Sequence, residues 1–527
     1  MNASACLVLL IAGTTVIRLV FAAATGLGVD ESYMVSAGRV LSLGYFDHPP
    51  AAWWLSWGAA HVAGTETPVV VRLPFILLFA CSTWLMARLT TLIAGEKAGV
   101  WAALLLNLSP VFGITTGTWV LPDGPLDCAL LGAALCLVHA LPARGGPAWR
   151  WWCAAGVCAG LALFSKYSAG LSIAGALVFL VVSRIGRHWL RRPEPYVAGL
   201  LALAVFAPVL VWNAAHGWAS FAFQGQRAVG LRFHPLAPLV TLAGEALFVL
   251  PWFWVPMMGL AVLVGIRNFS PSPCGRGLRG GGGRRLPVAL ALHRAEPPPP
   301  NPLPQGEGES WGLLVWLAAP PILAFALISA WSSQRVLFHW AAPGYLMLFP
   351  LLGQWAAECA HRRWLRRTVI GTAALVLAAV TIIGTQTRFD WLGPALAAFT
   401  RKDPTIEGID WVSLRTDLTA RGLALPGLTV GVPNWRDAGK IAHALGPSVT
   451  VLCLSPDARQ FGFADPPAAH IGQDILLLIP DHADRVVAGL ARNFERIDPL
   501  PPISVRLGDR VLQNVAVYQG HHLLAWP

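Results

Sequence analysis

Apolar runs about twenty residues long recur along this chain, and nothing constrains its fold more. A helix needs about 20 mainly apolar residues to cross a hydrocarbon layer. In lipid the backbone must satisfy its own polar groups, so such runs fold as spanning helices. Eleven are expected, near residues 5–27, 68–94, 98–116, 125–141, 150–165, 168–183, 195–214, 236–265, 311–331, 339–358 and 368–386. Only 12% of the 527 residues are charged, about half the usage of a soluble domain. The expected class is an α-helical polytopic membrane protein. No small-x-small cleavage pattern follows the first run, so it is expected to stay as a helix.

The net charge of +11 would suit nucleic acid, but the basic residues sit in short loops between the apolar runs, where membrane topology accounts for them. With the N-terminus inside, the inside loops carry 17 Lys and Arg and the outside loops five. That bias predicts a multi-pass inner-membrane protein whose first loop and C-terminal tail face outward. The nine cysteines fall mostly in apolar runs without a CxxC pair, so neither a disulfide framework nor a zinc site is expected. Residues 268–310 are a Gly-, Pro- and Arg-rich tract that cannot bury enough apolar surface to fold; they read as a cytoplasmic insertion. From 387 to 527 charge returns. LTVGVP, VTVLCL, DILLLIP and VAVYQ read as strands, and WRDAGKIAHALG as a helix ended by glycine. A small C-terminal α/β domain with parallel pairing is expected there.

Polar groups gather in the loops expected outside. The first, about residues 28–67, opens Val29-Asp30-Glu31-Ser32-Tyr33. It continues through Asp47-His48-Pro49-Pro50 into the Trp-rich AAWWLSWGAAHVAG, which has the face of an interfacial helix. Paired prolines suit a helix start, where a missing N–H costs little, and they fix the direction of Asp47 and His48. The second outer loop holds Pro122-Asp123-Gly124, the third Lys166-Tyr167, and a later one Gln334-Arg335 and His339-Trp340. Glu245 lies inside the eighth run, where an acid is a functional candidate by default. Carboxylates suit a base or a cation site; cations beside them suit a phosphate. Together they fit transfer from a lipid-linked phosphate to a hydroxyl or amine. An acid would take the acceptor's proton, and a cation or metal would stabilise the departing phosphate.

The segments VDESYMVSAGRVLSLGYFDHPPAAWWL, LPDGPL, FSKYSA, NAAHGWASFAFQ and HWAAPGYL, in this order, resemble the bacterial members of glycosyltransferase family 39. These have the GT-C fold and are similar to protein O-mannosyltransferases and to the aminoarabinose transferases of lipid A. The resemblance covers about residues 1–385. It implies a GT-C domain over residues 1–386 with about eleven transmembrane helices. It also implies a polyprenyl-phosphate sugar donor, a lipid, glycan or protein acceptor, and inverting transfer of one sugar at the outer face. By matching position Asp30 is the expected catalytic base, with Glu31 beside it, and Asp123 is the second family acid. Asp47 and His48 stand where relatives place an acid and a cation that hold a divalent metal ion or the lipid phosphate. His replaces a Lys of some relatives, and an unperturbed His loses its charge above about pH 6.5. Lys166, Tyr167, Arg335 and His339 are the expected substrate contacts.

Two other functions fit part of this pattern. A lipid phosphotransferase or O-antigen-type ligase also needs outer cations and a base. A transporter fits less well, since transporters usually show inverted repeats and polar groups at mid-membrane, whereas these polar groups gather at one edge.

Overall fold

A computed structural model describes residues 2–228, 232–269, 307–332, 336–399, 403–423, 427–465 and 467–526. Most of the expected 268–310 insertion lies outside them. Among the described residues six helices are long and apolar enough to cross a membrane: Ala3–Ala24, Pro68–Ala94, Asp123–Ala140, Glu194–Ala215, Gly308–Ile328 and Arg363–Phe389. A seventh span is counted if Ala237–Val249 and Pro251–Ile266, bent by 114°, are one. The bend has a local cause. Pro251 disfavours the helical conformation in the residue before it, and Leu250 takes φ 87.

The other expected runs are also helical, and two of them are interrupted. Gly145–Ser165 and Ala169–Val182 flank Lys166-Tyr167-Ser168. The run expected at 98–116 is the helix Glu96–Leu108 followed, past Pro110, by a π-helical turn, Val111–Thr116. The run expected at 339–358 is broken into Phe338–Ala341, Ala342–Leu346 and Phe349–Glu358. Glu245 is buried and accepts a 2.6 Å hydrogen bond from Tyr345, away from the polar loops.

The first loop is built as expected in outline. Val29–Ala37 is a short helix, and Ala51–Ala63 starts directly after Pro49-Pro50 and ends at Gly64 with φ 67. Trp53 on the second helix is fully buried, stacked on Tyr45 at 4.4 Å and edge-on to Tyr33.

The C-terminal part carries a five-stranded sheet. Its strands are β1 (Thr429–Val432), β2 (Thr450–Cys453), β3 (Ile475–Ile479), β4 (Phe494–Leu507) and β5 (Arg510–Leu523), in the order β2-β1-β3-β5-β4. β1 pairs in parallel with β2 and β3, while β3–β5 and β4–β5 are antiparallel. The helix Trp435–Leu445 lies between β1 and β2, capped by Asn434 and closed by Gly446. β4 was not expected, because it contains Pro499, Pro501 and Pro502. It is an edge strand, where proline is tolerated as it is at bulges, and its register shifts between Leu500 and Ile503.

This sheet shares a core with the first loop. Leu27, Tyr33, Met34, Tyr45, Trp53, Val71 and Phe75 pack in one buried cluster with Trp411, Leu414, Val430, Ile441 and Val517. The approach is at backbone contact: a Cβ on Gly439 would lie 2.7 Å from Tyr33 Cα and N, and one on Gly26 would lie 2.2 Å from Asp410 N. Lys440, 2% exposed, donates to Leu27 O and Ile409 O, both at 2.6 Å.

Candidate active site

Asp30 and Glu31 occupy the first turn of the same short helix but point to different places, since neighbours on a helix are about 100° apart. Glu31 is 2% exposed. Its carboxylate accepts from Arg72 Nε at 2.7 Å and Nη2 at 2.6 Å, from Gly28 N at 2.8 Å and from Val120 N at 3.0 Å. Burial alone would raise its pKa; the Arg72 guanidinium and the two N–H donors outweigh that and hold it below the usual value. Arg72 also bonds Ala22 O, Thr25 O, Thr25 Oγ1 and Gly26 O. Glu31 therefore ties the loop to the Pro68–Ala94 helix and is not a cavity residue. The expectation that it stands beside Asp30 in the chemistry is corrected on that ground.

Asp30 makes no hydrogen bond or ion pair among the described residues. Its carboxylate opens into a cavity of about 500 Å³. The side chain is accessible from the cavity although protein surrounds it. That surrounding protein raises its carboxyl above the usual range, and Arg459 and Arg436 pull the other way.

Asp47, His48, Asp123, Lys166, Tyr167 and His339 line the same cavity. Asp47 is 2% exposed. Tyr33 Oη donates to its Oδ1 at 3.3 Å, and Arg459 Nη1 lies 3.5 Å from its Oδ2. Burial pushes Asp47 up to about 6, against the pull of Arg459. Asp123 opens the helix Asp123–Ala140, and Lys166 Nζ binds both its oxygens at 2.8 and 3.0 Å. Lys166 gains that reach by standing in the extended break between two helices. The π-helical turn upstream of Asp123 is held by Arg18, which bonds Gly113 O and Asn107 Oδ1. Tyr167 Oη shares a 2.7 Å hydrogen bond with Ser220 Oγ. Arg335 lies outside the described residues.

Among the described residues no three His, Cys, Asp or Glu side chains are gathered as a metal site. Asp47 and His48 would offer a metal two donors, and Asp47 already faces a guanidinium. The donor set does not fit a divalent ion held by the protein alone.

Several cavity residues were not expected from sequence. Trp435, Arg436 and Arg459 come from the C-terminal part, and Gln224 from the helix Ala219–Ala228. The signal available for Arg459 was its place after an Asp-Ala turn; only the docking of the sheet onto the first loop brings it here. A second cavity, about 590 Å³, holds Arg39, Glu66, Asp410 and His443. Its acids are already paired, Glu66 with Arg39 at 2.7 Å and Asp410 with His443 at 3.3 Å, whereas the Asp30 carboxylate in the first cavity is uncommitted.

Residues 47–212 match the family model described as dolichyl-phosphate-mannose-protein mannosyltransferase. The match begins at Asp47 and includes His48, Asp123, Lys166 and Tyr167. The chain is similar along its length to two solved structures of ArnT from Cupriavidus metallidurans. The apo form aligns with TM-score 0.60 and 13% identity, and the form bound to undecaprenyl phosphate with TM-score 0.60 and 15% identity. Each alignment covers 98% of this chain and 98% of the other. The chain has the GT-C fold. No curated protein matches it by sequence. The expected helical membrane class and the small C-terminal sheet are both present in that fold.

Proposed function

We propose that the chain is a membrane glycosyltransferase that moves one sugar from a polyprenyl-phosphate carrier to a hydroxyl or amine of a lipid, glycan or protein. The observation that carries this is the convergence of Asp30, Asp47, His48, Asp123, Lys166 and His339 on one cavity of an ArnT-like fold. The ArnT structure bound to undecaprenyl phosphate supports the donor class.

In the proposed step the acceptor oxygen or nitrogen attacks the sugar's anomeric carbon as the bond from that carbon to the phosphate oxygen breaks. The polyprenyl phosphate leaves with the electron pair. Asp30 takes the acceptor's proton, for which an uncommitted carboxylate with a raised pKa is suited. A single displacement inverts the anomeric centre. His48, His339 and Lys166 place positive charge along the wall where the phosphate departs, worth most in a site shielded from water. Asp123 holds Lys166 in position. The charge bias of the loops supports an outward-facing cavity, at the outer face of the inner membrane.

The test compares lipids, glycans and proteins of membranes carrying the wild-type chain with those carrying Asp30→Asn, by mass spectrometry. A product heavier by one monosaccharide, lost in the variant, is expected. A product that has gained phosphate or a preassembled glycan would instead mark a phosphotransferase or ligase.

A further inference from the structure

The cavity's expected cations have a weakness. Two of them, His48 and His339, are histidines, a side chain without a permanent charge. Lys166 is committed to both oxygens of Asp123. Arg436 stands exposed at the cavity mouth, paired with Glu407 at 3.3 Å. A departing phosphate needs positive charge that persists across pH and donors not already held in close hydrogen bonds.

We propose that Arg459, carried by the C-terminal part, binds the phosphate of the polyprenyl donor and so completes a cavity built mainly by the membrane-spanning part. This rests on the glycosyltransferase reading and names a residue that neither the family match nor the sequence motifs include. Residue 459 lies far beyond the matched segment 47–212.

The geometry supports it on three counts. The guanidinium lies 3.7 Å from the centroid of the Trp435 ring and 5.4 Å from that of Phe223. Stacking of this kind fixes the plane and leaves the edges to bind. Its Nε is buried and makes no hydrogen bond, lying 3.8 Å from Asp457 Oδ1, and its contact with Asp47 is an ion pair at 3.5 Å; neither has tight bidentate geometry. A planar fork with donors to spare suits a phosphate. Finally, Arg459 takes φ 49. A non-glycine residue persists there only when its surroundings hold it. The next residue shows how: Gln460 N donates to Tyr33 Oη at 3.0 Å, and Gln460 Oε1 accepts from Phe46 N at 2.9 Å. The Arg459-Gln460 turn is thus pinned to the segment that carries Asp47.

The experiment measures binding of undecaprenyl phosphate and of undecaprenol, the same lipid without phosphate, to the purified full-length protein in detergent. Arg459→Gln and Arg459→Lys are compared with wild type, with melting temperature as the folding check. Wild type should prefer the phosphate. R459Q should lose about 10- to 100-fold in phosphate affinity, the range for a charged hydrogen-bonding group, with undecaprenol binding unchanged. R459K, which keeps charge but not the fork, should fall between. If R459Q melts at a wild-type temperature and binds undecaprenyl phosphate as tightly as wild type, the proposal is wrong, and any loss of sugar transfer is then an effect on Asp47. If R459Q is too unstable to assay, R459K decides: affinity equal to wild type overturns the proposal. Binding is read without turnover, so failure of the sugar-transfer reading leaves these outcomes distinct.

Discussion

Substituting Glu31→Gln and Asp30→Asn separates two adjacent acids by what each one holds. The Glu31 carboxylate accepts four hydrogen bonds, two on each oxygen: Arg72 Nε and Val120 N on one, Arg72 Nη2 and Gly28 N on the other. A glutamine amide keeps the shape but must present its NH2 to one of those pairs. Two donors then lose an acceptor, one of them on Arg72, and a guanidinium 1% exposed loses its countercharge. Breaking a buried pair from one side costs about 3–5 kcal/mol. With an unfolding entropy of roughly 2 cal/mol/K per residue, a chain this long loses about 1 °C of melting temperature per kcal/mol. E31Q should therefore melt about 3–5 °C below wild type. Assayed well below that temperature, it should keep transfer within about tenfold. Asp30 has no such partners, so D30N should melt within about 0.5 °C of wild type yet lose about 100- to 10,000-fold in transfer, the range for removing a general base. Melting would be followed by tryptophan fluorescence in detergent and transfer by product mass. If E31Q melted like wild type and transferred as poorly as D30N, Glu31 would belong to the chemistry and the assignment made here would fail.

Other outcomes follow from the same geometry. Transfer by wild type should fall as pH drops, because Asp30, the proposed base, is held above the usual range and protonates; Asp47, pushed up to about 6, protonates too, and D47N should keep the limb that Asp30 sets. The raised value works the other way on stability. Asp47's contribution is full below its unfolded value near 4 and is lost as pH rises through about 6, so wild type should gain in melting temperature over D47N as pH falls from about 7 to 4. Lys166→Met should cost about 3–5 kcal/mol by stranding buried Asp123, and the double variant with Asp123→Asn should recover part of that in a double-mutant cycle. Gly439→Ala should cost about 1–3 kcal/mol, since its methyl group meets Tyr33 backbone at 2.7 Å, and should speed proteolysis of the C-terminal part.

The legibility of the site in the sequence follows from contrast. Asp30, Asp47, Asp123 and Lys166 stand out because each interrupts an apolar neighbourhood, where an unpaired charge is costly. Their places in the outer loops, together with the family resemblance, carried the expectation of a shared site, and the structure lines one cavity with all four. Glu31 carried the same signal, but its charge is balanced by Arg72, which sits inside an apolar run and looked like part of the Pro68–Ala94 span. Arg459 had no contrast at all. It lies in a stretch where charged residues are ordinary, and its role depends on contacts more than 400 residues apart in sequence, such as Gln460 with Tyr33. In the fold, the apolar runs located the helices well but not their interruptions. A period of 3.6 says nothing about where Pro251 or Pro110 will break it. β4 was hidden for the opposite reason, its prolines arguing against a strand that an edge position permits.

The core shared between the first loop and the sheet has a consequence for how this protein is made. The helix holding Asp30 leaves the ribosome roughly 20–80 s before the helix holding Trp435, at about 5–20 residues per second. During that interval the carbonyl of Leu27 has no Lys440 to bind it, and Tyr33 and Trp53 have no sheet to cover them. The membrane helices can already be inserted, yet one wall of the cavity does not exist. A chain stopped after the last span, Arg363–Phe389, but before Trp435 would have its spanning helices and lack the cavity wall made by Trp435, Arg436 and Arg459. The cavity is therefore complete only when contacts close between the two ends of the sequence.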